Sequence, residues 1–144
     1  MRIIHLKKSL IALALMAINL MIAQKQSIPK SQLPSSAQSF LNQHINGRPF
    51  IYIKNAENPN DINYTVKYNN GVEITFQSDG GWKEISAKET QMPTSFIPPA
   101  MISYINTHYP EDVMIKIMQT PDRYDITLKS NRNLRFDRQG KFLK

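Results

Sequence analysis

From residue 33 onward the apolar positions follow a helix period, then a strand period, and this succession occurs twice. Ala37, Phe40, Leu41, His44 and Ile45 stand at i, i+3, i+4, i+7 and i+8, which is one stripe of a helix. Pro34 opens that helix, because proline suits a first turn whose N–H groups have no helical partner. Gly47 ends it. Met101, Tyr104, Ile105, His108 and Tyr109 repeat the stripe after Pro98, and Pro110 stops it. Period-2 segments follow each helix. Val113, Ile115 and Ile117 are expected on one face, with Met114, Lys116 and Met118 on the other. Ile51 and Ile53 take the places of Ile115 and Ile117 in the first copy.

A constant offset of 64 aligns Pro34 with Pro98, Ser39 with Ser103, Asn42 with Asn106 and His44 with His108. It drops to 60 for Tyr64 and Tyr124, Val66 and Ile126, Phe76 and Phe136, Gly80 and Gly140, and Trp82 and Phe142. Self-similarity at a fixed period is the mark of a repeated unit. The expected fold class is α+β, as two tandem repeats (residues 33–91 and 92–144), each one helix packed on an antiparallel four-stranded meander. A unit this small is marginal alone, so the copies should share a sheet or pack side by side. Residues 24–32 are polar and aperiodic and read as a flexible lead-in. Asn55–Asn63 reads as a nine-residue loop.

The strand register follows from the faces. Pairing Tyr64 with Phe76, Val66 with Ile74 and Tyr68 with Val72 keeps the apolar set on one face. It leaves a short loop with Gly71 where a positive φ is wanted. The same register sets Lys67 opposite Glu73 and Asp125 opposite Arg135 on the outer face, where opposite charges attract across the strands.

The first 23 residues have a different character. Arg2, Lys7 and Lys8 precede an apolar run from Leu10 to Ala23. The run is shorter than the roughly 20 residues of a spanning helix. With its basic start and a small residue at the end, it reads as a secretory signal cleaved near Ala23. The expected location is periplasmic or secreted, and the membrane is met only through this segment before cleavage. Removing it lowers the net charge from +7 to +4, so the basic balance does not argue for nucleic acid. There is no cysteine, which excludes disulfides, thiol nucleophiles and zinc–thiolate sites.

Several motifs now combine. A Leu-Pro or Ile-Pro helix start (Pro34, Pro98) precedes a Tyr-x-Val/Ile strand. An Asn-Gly-type turn (Gly71) and an Ile/Leu-x-Phe strand follow. The unit closes with Gly80-Gly81-Trp82 or Gly140-Lys141-Phe142. Occurring twice after a signal segment, this pattern resembles the PepSY-like proteins, small exported bacterial proteins also described as β-lactamase-inhibitor-like. The resemblance covers residues 33–144. The second copy departs from the pattern at Asn131, in place of the turn glycine, and at Phe142, in place of tryptophan. The resemblance implies a tandem helix-on-sheet scaffold, export, and a protein-binding or inhibitory role. The carried-over residues Pro34, Gly71, Gly80, Trp82, Pro98 and Gly140 are structural, and no catalytic residue comes with them.

Candidate chemistry is sparse. His44 and His108 share one helical position, but each lies at the edge of an apolar stripe with no ligand one turn on, which favours packing over metal binding. No nucleophile-elbow motif occurs, and acidic residues are scattered singly. Asn63-Tyr64-Thr65 matches a glycosylation tripeptide but falls in a strand. Residues 96–144 carry net charge +3 and residues 33–95 net −1. The basic stretch Arg132, Arg135, Arg138, Lys141 and Lys144 reads first as a solvated face, and second as a surface for an acidic partner.

The expectation is therefore a non-enzymatic exported binding module without a cofactor or metal. Its outer face (Lys67, Glu73, Thr75, Asp125, Thr127, Lys129 and Arg135) would meet a protein partner of unknown identity. The alternative is an envelope structural or small-ligand-sequestering protein using the groove between the copies. An exposed aromatic cluster on the outer face would favour the first, and a closed apolar pocket at the junction the second.

Overall fold

The computed structural model describes residues 24–58 and 60–144. The signal segment expected over residues 1–23 lies outside the described residues. The described chain forms one antiparallel sheet of eight strands whose spatial order is the chain order. The order is β1 (Gln24–Ser27), α1 (Ser35–His44), β2 (Pro49–Asn58), β3 (Asp61–Tyr68), β4 (Val72–Gln77), β5 (Trp82–Ala87), α2 (Pro99–His108), β6 (Met114–Gln119), β7 (Arg123–Leu128) and β8 (Asn133–Asp137). Strands β5 and β6 pair directly, with Glu84 opposite Met118, Ile85 opposite Ile117 and Ser86 opposite Lys116. The meander after α1 thus continues without a break into the one after α2.

Both helices lie on the same side of the sheet. Ala37 and Leu41 of α1 and Met101 and Ile105 of α2 are buried with Val66, Ile74, Phe76, Ile85, Ile117, Ile126, Leu134 and Phe136 in one core. Ring contacts fix the helices over their strands. Phe40 meets Phe76 at 5.8 Å between centroids, and Tyr104 meets Phe136 at 5.5 Å. Edge-on aromatic pairs of this kind are worth about 0.5–1.5 kcal/mol beyond their buried area.

The hairpin registers agree with the period-2 reading. Tyr64 faces Phe76, Val66 faces Ile74 and Lys67 faces Glu73. Tyr124 faces Phe136, Ile126 faces Leu134 and Asp125 faces Arg135. Gly71 has φ +85°, and Asn131, which stands for it in the second hairpin, has φ +65°. Asparagine tolerates this left-handed conformation better than other side chains do.

A glycine turn locks each helix start to the sheet. Gly80 lies against Pro34, Ser36 and Ala37, and Gly140 against Pro98, Ala100 and Met101. A Cβ on Gly80 would sit 2.7 Å from Pro34 Cβ, and one on Gly140 would sit 2.9 Å from Pro98 Cβ. Ser36 Oγ also donates to the Asp79 carbonyl at 2.7 Å.

Three expectations need correction. The flexible lead-in is instead structured: β1 pairs along β2, a 3-10 turn spans Lys30–Gln32, and Ile28 is buried. Edge pairing uses backbone groups alone, so it left no period in the side chains. The nine-residue loop is a hairpin, since Asn55 faces Asn63 and Asn58 faces Asp61. The offset of 64 fails in the strand after each helix. Tyr52 faces Val66 as Ile117 faces Ile126, so these strands correspond at 65. Bulges between Pro49 and Ile51 and between Met114 and Lys116 insert a residue into each strand and reset its faces. Met114 and Ile117 are both buried on the helix side, Val113 is exposed, and Ile51 and Ile53 line up with the outer-face residues Lys67 and Thr65.

Candidate functional site

No element among the described residues covers the face opposite the helices. Direct cross-strand neighbours point the same way, so the pairing lists this face row by row. One row runs Ser27, Ile53, Thr65, Thr75, Glu84, Met118, Asp125, Arg135. The next runs Ile51, Lys67, Glu73, Ser86, Lys116, Thr127, Asn133. Of the seven residues expected to form the face, six stand in these two rows. Lys129 does not: it lies just beyond β7, in the turn to β8.

The charges on the face answer one another. Lys67 Nζ is 2.8 Å from Glu73 Oε2, Lys116 Nζ is 3.0 Å from Glu84 Oε2, and Asp125 lies between Arg123 at 3.1 Å and Arg135 at 3.2 Å. All of these side chains are partly exposed, so each pair adds about 0–1 kcal/mol to stability. Their larger effect is on the field. Arg135 is not a free positive charge, and the face presents matched signs. Two further arginines of the second half are also engaged. Arg138 lies 4.5 Å over the Tyr124 ring and donates to Gln119 Oε1, and Arg132 lies 4.9 Å over Tyr109.

Between the charged pairs lie small hydroxyls. Thr127 Oγ1 donates to Asn133 Oδ1 at 3.0 Å. Asn55 Nδ2 donates to Thr65 Oγ1 at 3.0 Å and to Asn63 Oδ1 at 2.8 Å. Thr65 is only 9% exposed although no helix covers it, so its neighbours on the face close over it. The apolar members of the two rows are Ile51, Ile53 and Met118, all half-buried aliphatic side chains rather than an aromatic cluster.

The histidines pack. His44 shares a 2.9 Å hydrogen bond with Ser95 Oγ and lies 4.9 Å from the Phe40 ring. His108 stacks on Tyr104 at 4.0 Å, with Nδ1 3.0 Å from the Tyr104 carbonyl oxygen. Among the described residues, no three His, Cys, Asp or Glu side chains converge as metal ligands would.

Sequence reasoning missed the segment that joins the halves. Phe96, just before α2, packs on Phe40 at 5.2 Å and on Trp82 at 5.2 Å, and Trp82 stacks on Tyr124 at 6.2 Å. Gln119 Nε2 also donates to the Trp82 carbonyl. These contacts hold β5 against β6 and keep the outer rows continuous. Phe96 lies outside both stripes and strands, so no period marked it.

The sequence model of the family described as "Putative beta-lactamase-inhibitor-like, PepSY-like" matches residues 62–144. The chain belongs to this family. Solved structures resemble this PepSY-like chain over most of its length. One, titled a putative calcium-regulated periplasmic protein from Bacteroides thetaiotaomicron, has 27% identity and a TM-score of 0.76, covering 83% of this chain and 94% of its own. A putative periplasmic protein from Bacteroides vulgatus has 27% identity and a TM-score of 0.72, covering 84% and 95%. A second protein from Bacteroides vulgatus, titled a putative periplasmic protein of unknown function, has 28% identity and a TM-score of 0.74, covering 84% and 98%. No curated protein matches the chain.

Proposed function

We propose that this PepSY-like chain is an exported, non-enzymatic binding module that docks a protein partner on the uncovered face of its sheet, as an inhibitor would. One observation carries the reading: eight strands present an unbroken surface on which charges are paired in plane, while both helices occupy the other side. A surface with matched signs selects a partner by shape and hydrogen bonding rather than by net charge. Ile51, Ile53 and Met118 supply apolar area for burial, and Thr75 and Thr127 supply hydroxyls. The periplasmic titles of the similar structures support export, with residues 1–23 as the cleaved signal.

The reading includes a duplication, residues 33–91 and 92–144 being copies of one unit. Its support is the paired device of a glycine turn seated on a proline helix start, Gly80 on Pro34 and Gly140 on Pro98.

The test is capture from periplasmic extract of the source organism by the immobilised protein and by a Thr75→Arg, Thr127→Arg variant. Both threonines lie on the open face, so the arginines should leave circular dichroism unchanged and abolish capture of the specific partner. Equal capture by the variant would remove the outer face as the binding surface.

A further inference from the structure

A pocket of about 240 Å3 lies beside the C-terminal half of α1, on the helix side of the sheet. It falls just below the ~300–1,000 Å3 range of drug-sized ligand sites, so its occupant would be small. Four polar side chains line it, Lys30, Asn42, Tyr52 and Tyr68, and every one can donate a hydrogen bond. No carboxylate lines it. Lys30 forms no ion pair among the described residues. Its ammonium donates to Asn42 Oδ1 at 2.8 Å and keeps two further protons. That bond also occupies the Asn42 carbonyl, which leaves the amide Nδ2 of Asn42, a pure donor.

The tyrosines complete the set. Tyr68 is 4% exposed, and neither its hydroxyl nor that of Tyr52 has a hydrogen-bond partner among the described residues. Yet no buried side-chain polar atom among those residues is both sealed from solvent and unpartnered. The Tyr68 oxygen therefore opens to solvent, and the pocket is the space its side chain lines. Burial raises both phenols above their ordinary 10.0, so at neutral pH each holds its proton and can donate it.

The fold does not require these groups. In the second half the strand registers put Ile117 in the place of Tyr52 and Leu128 in the place of Tyr68, and both are fully buried. Thr94 stands for Lys30 at the helix offset, while Asn106 keeps the place of Asn42. Aliphatic side chains thus serve the scaffold at these positions, and the first half instead carries an ammonium and two phenols.

We propose that this pocket binds a small carboxylate. The carboxylate meets the Lys30 ammonium and accepts from Asn42 Nδ2 and the Tyr52 and Tyr68 hydroxyls, with its short aliphatic part against Leu41 and Ile45. One cation without a lining acid matches a single negative charge, which favours a carboxylate over a phosphate dianion. The site lies on the side of the sheet opposite the outer face, so this proposal and the docking reading can fail separately.

Nuclear magnetic resonance titration of the full protein with propionate, at constant ionic strength, tests the proposal. Saturable shifts are expected at the Asn42 side-chain amide and at the amide of Gly47, which also lines the pocket. Propylammonium should cause none. Lys30→Gln and Tyr68→Phe should each weaken propionate by roughly tenfold, the scale of one hydrogen bond to a charged group. Tyr68→Phe keeps the ring, and circular dichroism reports whether the fold persists. Absence of saturable shifts, equal shifts with propylammonium, or unchanged affinity in both variants would overturn the proposal. Tighter binding of phosphate than of propionate would overturn the choice of a carboxylate.

Discussion

Trp82 and Phe142 follow corresponding glycine turns, and the chain treats them differently. Trp82 begins β5, pairs with Phe76 of β4 and is 8% exposed, with Phe40, Phe96 and Tyr124 around its ring. Phe142 makes a single bridge to Phe136 and remains half-buried, although Tyr104 stacks on it at 4.4 Å. One device thus does two jobs. In the middle of the chain, glycine turn plus aromatic starts a strand that joins the halves. At the end it closes the last strand, with the Arg135 N–H donating to the Lys144 carbonyl and the Leu143 N–H to the Arg135 carbonyl. The lysines at 141 and 144 mark that last edge with charge, which discourages further strand addition.

This contrast ranks the substitutions. Trp82→Ala should cost roughly 3–5 kcal/mol, because it opens a cavity shared by both halves. Phe142→Ala should cost about 1–2 kcal/mol, since a half-buried ring loses less area. Urea denaturation of the two variants checks the order, and equal costs would show that Trp82 is not a junction residue. Gly80→Ala falls between the two, at about 3 kcal/mol, from its φ of +87° and the approach of Pro34 and Ser36. Gly71→Ala should cost only about 1 kcal/mol, because its nearest neighbour would be Glu89 Cβ at 3.6 Å. A branched side chain is worse in that conformation, so Gly71→Val should cost more than Gly71→Ala.

How legible was this in the sequence? The β3–β4 and β7–β8 registers were, because a period of 2 and a turn residue with positive φ leave one alignment of apolar faces. The helix stripes were too, and so was the burial of Trp82. The bulges at the starts of β2 and β6 were not, since an inserted residue looks like ordinary alternation until its partner strand is known. The β5–β6 pairing was also hidden: it joins residues separated by a helix and a linker, and Phe96, which packs on Trp82 at the start of β5, belongs to no periodic segment. Six of the seven candidate residues stand on the uncovered face, because outer positions alternate with core ones. Lys129, also named for the face, lies beyond Leu128 in the turn to β8.

Titration sharpens the contrast between halves. Burial, with a smaller contribution from Tyr52, pushes the Tyr68 hydroxyl up from 10.0 to about 12. The folded state holds this proton more tightly than the unfolded chain. The corresponding stability is complete below pH 10 and lost as pH rises towards 12. Tyr68→Phe should reduce the alkaline loss measured by denaturation across that window, and an unchanged slope would contradict the burial. In the second half Leu128 replaces Tyr68, and acid is the relevant limit. The Ser130 hydroxyl, followed by the Val113 and Ser130 N–H groups, holds Asp112 below its ordinary 3.8. Its contribution is present above that value and lost as pH falls through the lowered one. The protection factors of the Val113 and Ser130 amides against exchange should therefore fall at low pH, and Ser130→Ala should move that change to higher pH. The effect is the smallest of the set, because Asp112 is at the surface.

The most direct measurement compares the two sides of the sheet. A photo-crosslinking residue is placed at Thr75 on the uncovered face, and separately at Ser103 on the exposed side of α2. Irradiation in the periplasm should give a discrete covalent adduct from position 75 and none from position 103. An adduct from position 103 alone, or none from position 75, would contradict docking on the uncovered face.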